Sequence, residues 1–146
     1  MTNKEILIQG PIPQSLVSEI IAETNQGTIG AQSIFLGQVR SDVLEGKKVL
    51  EIDYSAYEDM VRTEMNKIFV HVKSKYNDLQ KVYVRHSVGV VKYGEHSLFV
   101  FVAGGHRRQA FKAVEEIVDL IKEKLPVWKK EILEEGGHVW TENKID

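Results

Sequence analysis

The sequence holds no cysteine among its 146 residues. Disulfides, thiolate metal sites and cysteine nucleophiles are excluded at once. Proline is scarce, at three residues, and no repeat or low-complexity stretch interrupts the chain. Nothing therefore reads as a linker. The longest apolar run is six residues, Leu98 to Ala103, whereas a membrane-spanning helix needs about 20. Met1 to Glu5 has no long apolar core behind a basic start, so no secretory signal is expected, and the expected compartment is the cytoplasm. Neither charge sign dominates: 19 Lys and Arg face 21 Asp and Glu, a net −2. A general nucleic-acid binder would be strongly basic. The five histidines (71, 86, 96, 106 and 138) show no paired metal spacing. No phosphate-binding glycine loop occurs, and no nucleophile-elbow sequence frames a serine. Neither metal nor cofactor is expected.

What remains is an ordinary globular composition, 42% hydrophobic and 27% charged, and one domain over residues 1–146 is expected. Charge is uneven along it. Residues 106–130 carry seven Lys and Arg against four Asp and Glu, while residues 131–146 carry one against five. Tyr57, Val61, Met65, Ile68, Val72 and Tyr76 recur at steps of three and four, which predicts a long helix. Phe111, Val114, Val118, Ile121 and Leu125 predict a second, ended by Pro126. Pro13 suits the first turn of a shorter helix reaching Thr24. Ile6–Ile8, Ala31–Arg40, Leu50–Ser55, Val82–Val91 and Ser97–Ala103 read as strands; Leu50, Ile52 and Tyr54 alternate with Glu51, Asp53 and Ser55, which predicts one buried and one wet face. Lys129–Leu133 and His138–Thr141 read as short closing strands. Ser97–Ala103 is apolar on both faces and belongs in the middle of a sheet. Ser41–Lys48, polar and containing Gly46, reads as a mobile loop. Short turns between the later strands favour antiparallel pairing. The expected class is α+β, a mixed but mostly antiparallel sheet carrying two long helices.

Three segments carry candidate chemistry. Gly104-Gly-His-Arg-Arg108 lies between a buried strand and a helix start, where unpaired N–H groups and the dipole suit an anion. The same residues would equally serve a solvated strand-to-helix turn. Lys122 and Lys129 flank Pro126; a chain folding back there would bring two ammonium groups together, which suits proton transfer or nucleophilic attack. Lysines also simply favour a helix C-terminus. Gly37-Gln-Val-Arg40 ends a strand before the 41–48 segment, a place for an arginine clamp or for a solvated arginine.

Taken in order, several pieces resemble the large, catalytic subunits of molybdopterin synthases. They are Phe35-Leu-Gly-Gln-Val-Arg40, Tyr54-Ser-Ala-Tyr57 with Met60, His86-Ser-Val-Gly89, Gly94-Glu95, His106-Arg107, and Lys122 through Pro126-Val-Trp-Lys-Lys-Glu131, with Trp140 beyond. The likeness spans nearly the whole chain. Two departures stand out: Ser55 replaces a common glutamate, and Gly104-Gly105 replaces Ser-Pro or a similar pair.

The resemblance implies an α/β hammerhead-like sandwich with additional antiparallel strands. It implies a sulfurtransferase of molybdenum cofactor biosynthesis that converts cyclic pyranopterin monophosphate to molybdopterin. The sulfur arrives as a thiocarboxylate on the Gly-Gly C-terminus of a small ubiquitin-like subunit. A homodimer at the centre of a heterotetramer is implied as well. Lys122 is then expected near the tail's carbonyl and Lys129 on the pterin side. Arg40, His106 and Arg107 are expected to hold phosphate and pterin, and Gln38, Val39, Lys130 and Glu131 to flank the pocket. A chain without thiols cannot carry the sulfur itself, which fits a carrier partner. The competing expectation is a non-catalytic adaptor that docks a Gly-Gly-tailed protein. A phosphate-binding nucleic-acid module fits less well, because no basic strip is interleaved with aromatics.

Overall fold

In the computed structural model, residues 5–142 are described. Strand β1 (Leu7–Gln9) precedes helix α1 (Gln14–Glu23), then β2 (Ala31–Gln38), β3 (Val43–Leu44) and β4 (Lys47–Ala56). Helix α2 (Glu58–Lys75) leads to β5 (Leu79–Lys92) and β6 (His96–Gly104). Helix α3 (Arg107–Lys124) leads to β7 (Val127–Leu133) and β8 (His138–Glu142). The sheet runs β2-β6-β5-β4-β7-β8, with β3 hairpinned on β4 and β1 lying parallel to β5. It is the expected α+β class, mixed and mostly antiparallel.

Strand β6 lies between β2 and β5, and Leu98 through Ala103 are buried on both faces. One face packs with Val61, Met65, Ile68 and Val72 of α2 and with Ala110, Ala113, Ile117 and Ile121 of α3. The other face, Phe99, Phe101 and Ala103, packs under α1 through Ile20.

Three expectations are corrected. The 41–48 segment is a short hairpin rather than a mobile loop. Val43 pairs Lys48 and Leu44 pairs Lys47, and Glu45 and Gly46 both take positive φ, 54° and 77°, the geometry that two-residue hairpin turns demand. The Ser41 hydroxyl and a Glu134 carboxylate, which accepts the Lys48 N–H, hold it in place. Leu50 does not point inward: the register shifts between Val49 and Glu51, and such a bulge reverses the alternation locally. Phe111 is 61% exposed, because α3 turns its small residues, Ala110 and Ala113, to the sheet instead.

The two long helices are joined by one carboxylate. Glu116 of α3 accepts from Lys75 Nζ at 2.8 Å and from Tyr76 Oη at 2.6 Å, with His71 Nε2 at 2.5 Å. The Lys75 bond, then the Tyr76 bond, hold its carboxyl down at about 2. A depressed carboxyl stabilises the fold above the unfolded value and ceases to do so as pH falls through the folded one. Glu116→Gln should therefore lower the Tm at neutral pH, and the gap from the parent should close between about pH 4.5 and 2. Thermal melts across that range check it; a gap that persists at pH 2 would assign the effect to packing alone.

Candidate functional site

Strand β5 changes neighbours along its length. It pairs β6 from Leu79 to His86, β1 from His86 to Val88, and β4 from Gly89 to Lys92. Where these pairings hand over, a cleft of about 130 Å³ is lined by the end of β2 (Gly37 to Arg40) with Asp42, by Ile52 and Tyr54 of β4, and by His86. Ser97 and Leu98 of β6, Ile121 and Lys122 of α3, and Lys129 and Glu131 of β7 complete it.

Local structure explains who points in. Lys122 sits in the last turn of α3, and Pro126 follows the C-cap residue Leu125. The chain then reverses into β7. Lys129 lies opposite Tyr54, and Glu131 opposite Ile52. Residues directly opposite on antiparallel strands share a face, so Lys129 and Glu131 join the buried side of β4. Lys130 falls on the other face, opposite Asp53, with its Nζ 5.7 Å from the Trp140 ring centroid. Period two therefore removes Lys130 from the cleft that it was expected to flank.

The cleft's inner wall is polar but uncharged. Tyr54 donates its hydroxyl to Ser97 Oγ at 3.0 Å and meets the His86 ring edge-on, with centroids 5.4 Å apart. Burial raises the Tyr54 phenol; the Ser97 bond opposes this and Glu131 adds to it. His86 is buried, with Nδ1 2.8 Å from the Ser87 carbonyl. A carbonyl can only accept, so Nδ1 carries the proton of the neutral ring. Burial pushes this imidazole down from 6.5 to about 4; the Ser87 bond opposes, and the positive charges of Lys122 and Lys129 push it further down. Both lysines thus act on one buried ring. Arg40, at the rim, has a side chain 76% exposed and lies 3.4 Å from Asp42.

The structure brings together Gln38, Val39, Arg40, Lys122, Lys129 and Glu131. It does not bring His106 or Arg107 to them. His106 is the N-cap of α3 and Arg107 its first residue, at the far end of the helix from Lys122, about 23 Å away at 1.5 Å per residue. Tyr54, His86 and Ser97 were not singled out as site residues from the sequence. Each stands at an inward strand position, where a polar residue was the available signal.

Comparison with known proteins is consistent across the chain. A family model described as MoaE protein matches residues 11–124. The molybdopterin synthase catalytic subunit of Drosophila erecta is 38% identical over 140 residues, covering 94% of this chain. This chain spans only 37% of that relative's length. The crystal structure of molybdopterin synthase from Staphylococcus aureus superposes with a TM-score of 0.82 at 27% identity, over 97% of this chain and 98% of that one. A complex of subunits 1 and 2 of the molybdopterin-converting factor from Helicobacter pylori 26695 gives 0.78 at 23% identity, over 92% and 88%, a likeness of fold.

The His86 ring generates a pH prediction. Its folded value lies below the unfolded one, so the unfolded chain takes up the proton first. Stability should fall as pH drops from 6.5 to about 4, by at most about 3 kcal/mol from this group. His86→Gln should flatten the decline of Tm across that window, most of which lies above the Glu116 window. A decline of equal slope in parent and variant would mean that another group titrates there.

Proposed function

Because the chain belongs to the MoaE protein family, we propose that it is the catalytic subunit of a molybdopterin synthase. It transfers sulfur from the C-terminal thiocarboxylate of a small ubiquitin-like subunit to cyclic pyranopterin monophosphate and so builds the dithiolene. The observation that carries this reading is the meeting of Lys122 and Lys129 in one small cleft with a neutral wall.

The electrostatic problem of such a reaction is that both reactants are anions. A thiocarboxylate and a phosphate ester repel each other when confined, and fixed cations offset that repulsion most where water is excluded. Lys122, nearest the end of the α3 dipole, counters a field that would otherwise repel an incoming carboxylate. We assign it to the tail's carbonyl oxygen, where negative charge develops as water adds to the acyl carbon; the carbonyl re-forms as the C–S bond breaks, leaving the sulfur on the pterin and the tail as a carboxylate. Lys129 serves the pterin side, assisting ring opening and loss of water. Arg40, exposed at the rim, takes the phosphate. A Gly-Gly tail suits the entrance because it carries no side chains. The subunit pairing in the Helicobacter pylori complex supports a small partner.

His106 and Arg107 enter this reading through a second copy. One chain holds them about 23 Å from its own Lys122, so a symmetric dimer must present them to the neighbouring cleft if they hold substrate. The assembly we propose is accordingly a homodimer of this chain with a small subunit on each copy.

Incubation with a thiocarboxylated small subunit and the cyclic pyranopterin, followed by mass detection of product, tests the reading. A mere adaptor would bind the tail and make no dithiolene. Lys122→Ala and Lys129→Ala should each lower turnover about 10²- to 10³-fold, the usual cost of a lost charge-stabilising donor, with little change in Tm. A small subunit lacking its last two glycines should transfer no sulfur. Near-normal turnover by a folded Lys122→Ala protein would overturn the assignment.

A further inference from the structure

The turn between α2 and β5 reaches across to the start of α3. Asp78 Oδ2 accepts the His106 backbone N–H at 2.8 Å and lies 3.2 Å from His106 Nδ1. In return, Gln109 of the first α3 turn accepts the Asp78 N–H at 2.9 Å and donates Nε2 to Asn77 Oδ1 at 3.2 Å. The Gly105 N–H donates to the Asp78 carbonyl at 3.2 Å. A capping box normally closes within one helix; here its two halves come from different segments. The Asp78 side chain is 25% exposed and that of His106 88%. The carboxylate is a fixed wall, and the imidazole faces solvent.

The glycine pair makes this contact possible. A Cβ on Gly105 would stand 2.6 Å from Asp78 Oδ1, and one on Gly104 would stand 3.1 Å from the Asp78 carbonyl oxygen. A side chain at 104 would press on the Asp78 carbonyl, and one at 105 would displace the carboxylate. The departure from the family pattern at Gly104-Gly105 therefore has a structural counterpart. It admits a carboxylate that ties the loop down.

We propose that Asp78 is a positioning residue for phosphate binding: it fixes the start of α3 and holds the His106 ring so that His106 and Arg107 present their donors together. The inference rests on the reading of those two residues as phosphate-holding groups. Its physics is a contest of signs. A carboxylate beside an anion site repels the anion, and it also occupies the His106 N–H. It helps only by ordering the basic donors. If Asp78 is a mere competitor, removing it tightens substrate. If it positions His106 and Arg107, removing it weakens substrate.

The test uses the full chain with the thiocarboxylated small subunit and cyclic pyranopterin monophosphate. Asp78→Ala should raise KM for the pyranopterin about tenfold, the weight of one charge-assisted bond, with a smaller change in kcat. Asp78→Asn, which keeps an oxygen for the His106 N–H but lacks the charge, should recover part of the loss. Gly105→Ala, which displaces the carboxylate without removing it, should raise KM in the same direction. In the His106→Ala background, Asp78→Ala should add little. A lower or unchanged KM in Asp78→Ala overturns the inference, as does a parallel fall in kcat and Tm that Asp78→Asn does not relieve. An unchanged KM in both His106→Ala and Arg107→Ala would instead sink the phosphate reading of those residues.

Discussion

Strand β5 must serve three neighbours, and the cleft depends on how it does so. Its first half is committed to β6, its middle to β1 and its end to β4. The hand-over is made at Gly89, whose φ is +83°, a conformation that costs any L side chain energy. A Cβ there would also meet the side-chain amide of Gln9, which reaches over from β1. Three residues earlier, His86 stands at the point where β6 and β1 both pair with it. Its ring is the buried floor against which Tyr54 of β4 packs and toward which Lys122 and Lys129 direct their charge. One strand thus sets the position of the cleft and of its neutral wall.

That neutrality is what lets a weakly acidic chain hold a basic site. Burial keeps the Tyr54 phenol protonated and the His86 imidazole uncharged at neutral pH. The ionised groups at the cleft are then Arg40, Lys122 and Lys129 against Asp42 and Glu131. A charged histidine beside two lysines would raise their mutual repulsion. A neutral ring gives them a polar surface without a further charge. By formal charge the lining holds one more cation than anions, so an incoming anion meets a net positive charge.

Periodic signals in the sequence revealed most of the fold. The steps of four, four, three, four and four from Tyr57 to Tyr76 place α2 within one residue at each end. The doubly apolar run from Leu98 to Ala103 identifies a central strand. Failures fall where a local rule meets a long-range partner. Leu50 obeys alternation in sequence, but the bulge opposite β7 reverses it. Phe111 fits helical spacing, but close approach of α3 to the sheet favours alanine. The hairpin at 43–48 depends on two adjacent positive-φ residues, and only Gly46 announced itself. At the site, Pro126 made the return of Lys129 toward Lys122 conceivable, yet only the β4–β7 register decides that Lys129 faces the cleft while Lys130 does not. Tyr54, His86 and Ser97 were illegible as site residues because an inward polar residue on a strand looks the same whether it closes a core or walls a pocket.

Helix α3 shows how one element can serve both ends of a charge problem. Its C-terminal turn carries Lys122 and Lys124, which complement the negative pole of the dipole. Its N-terminal turn carries no acidic residue of its own and begins with His106, Arg107 and Arg108, which the positive pole disfavours. Left alone, that end would fray or recruit a solution anion. Asp78 supplies the missing negative charge from another segment and accepts the first N–H. The chain thereby trades some attraction for anions at this end of the helix against a fixed start of α3. The trade favours binding only where the incoming anion needs oriented donors more than bare potential. A phosphate ester, with several oxygens to satisfy at once, is such an anion; a lone carboxylate is a weaker case. On the proposed reading, the two ends of α3 serve different reactants, the donors at its start a phosphate and the lysine at its close the tip of a peptide tail.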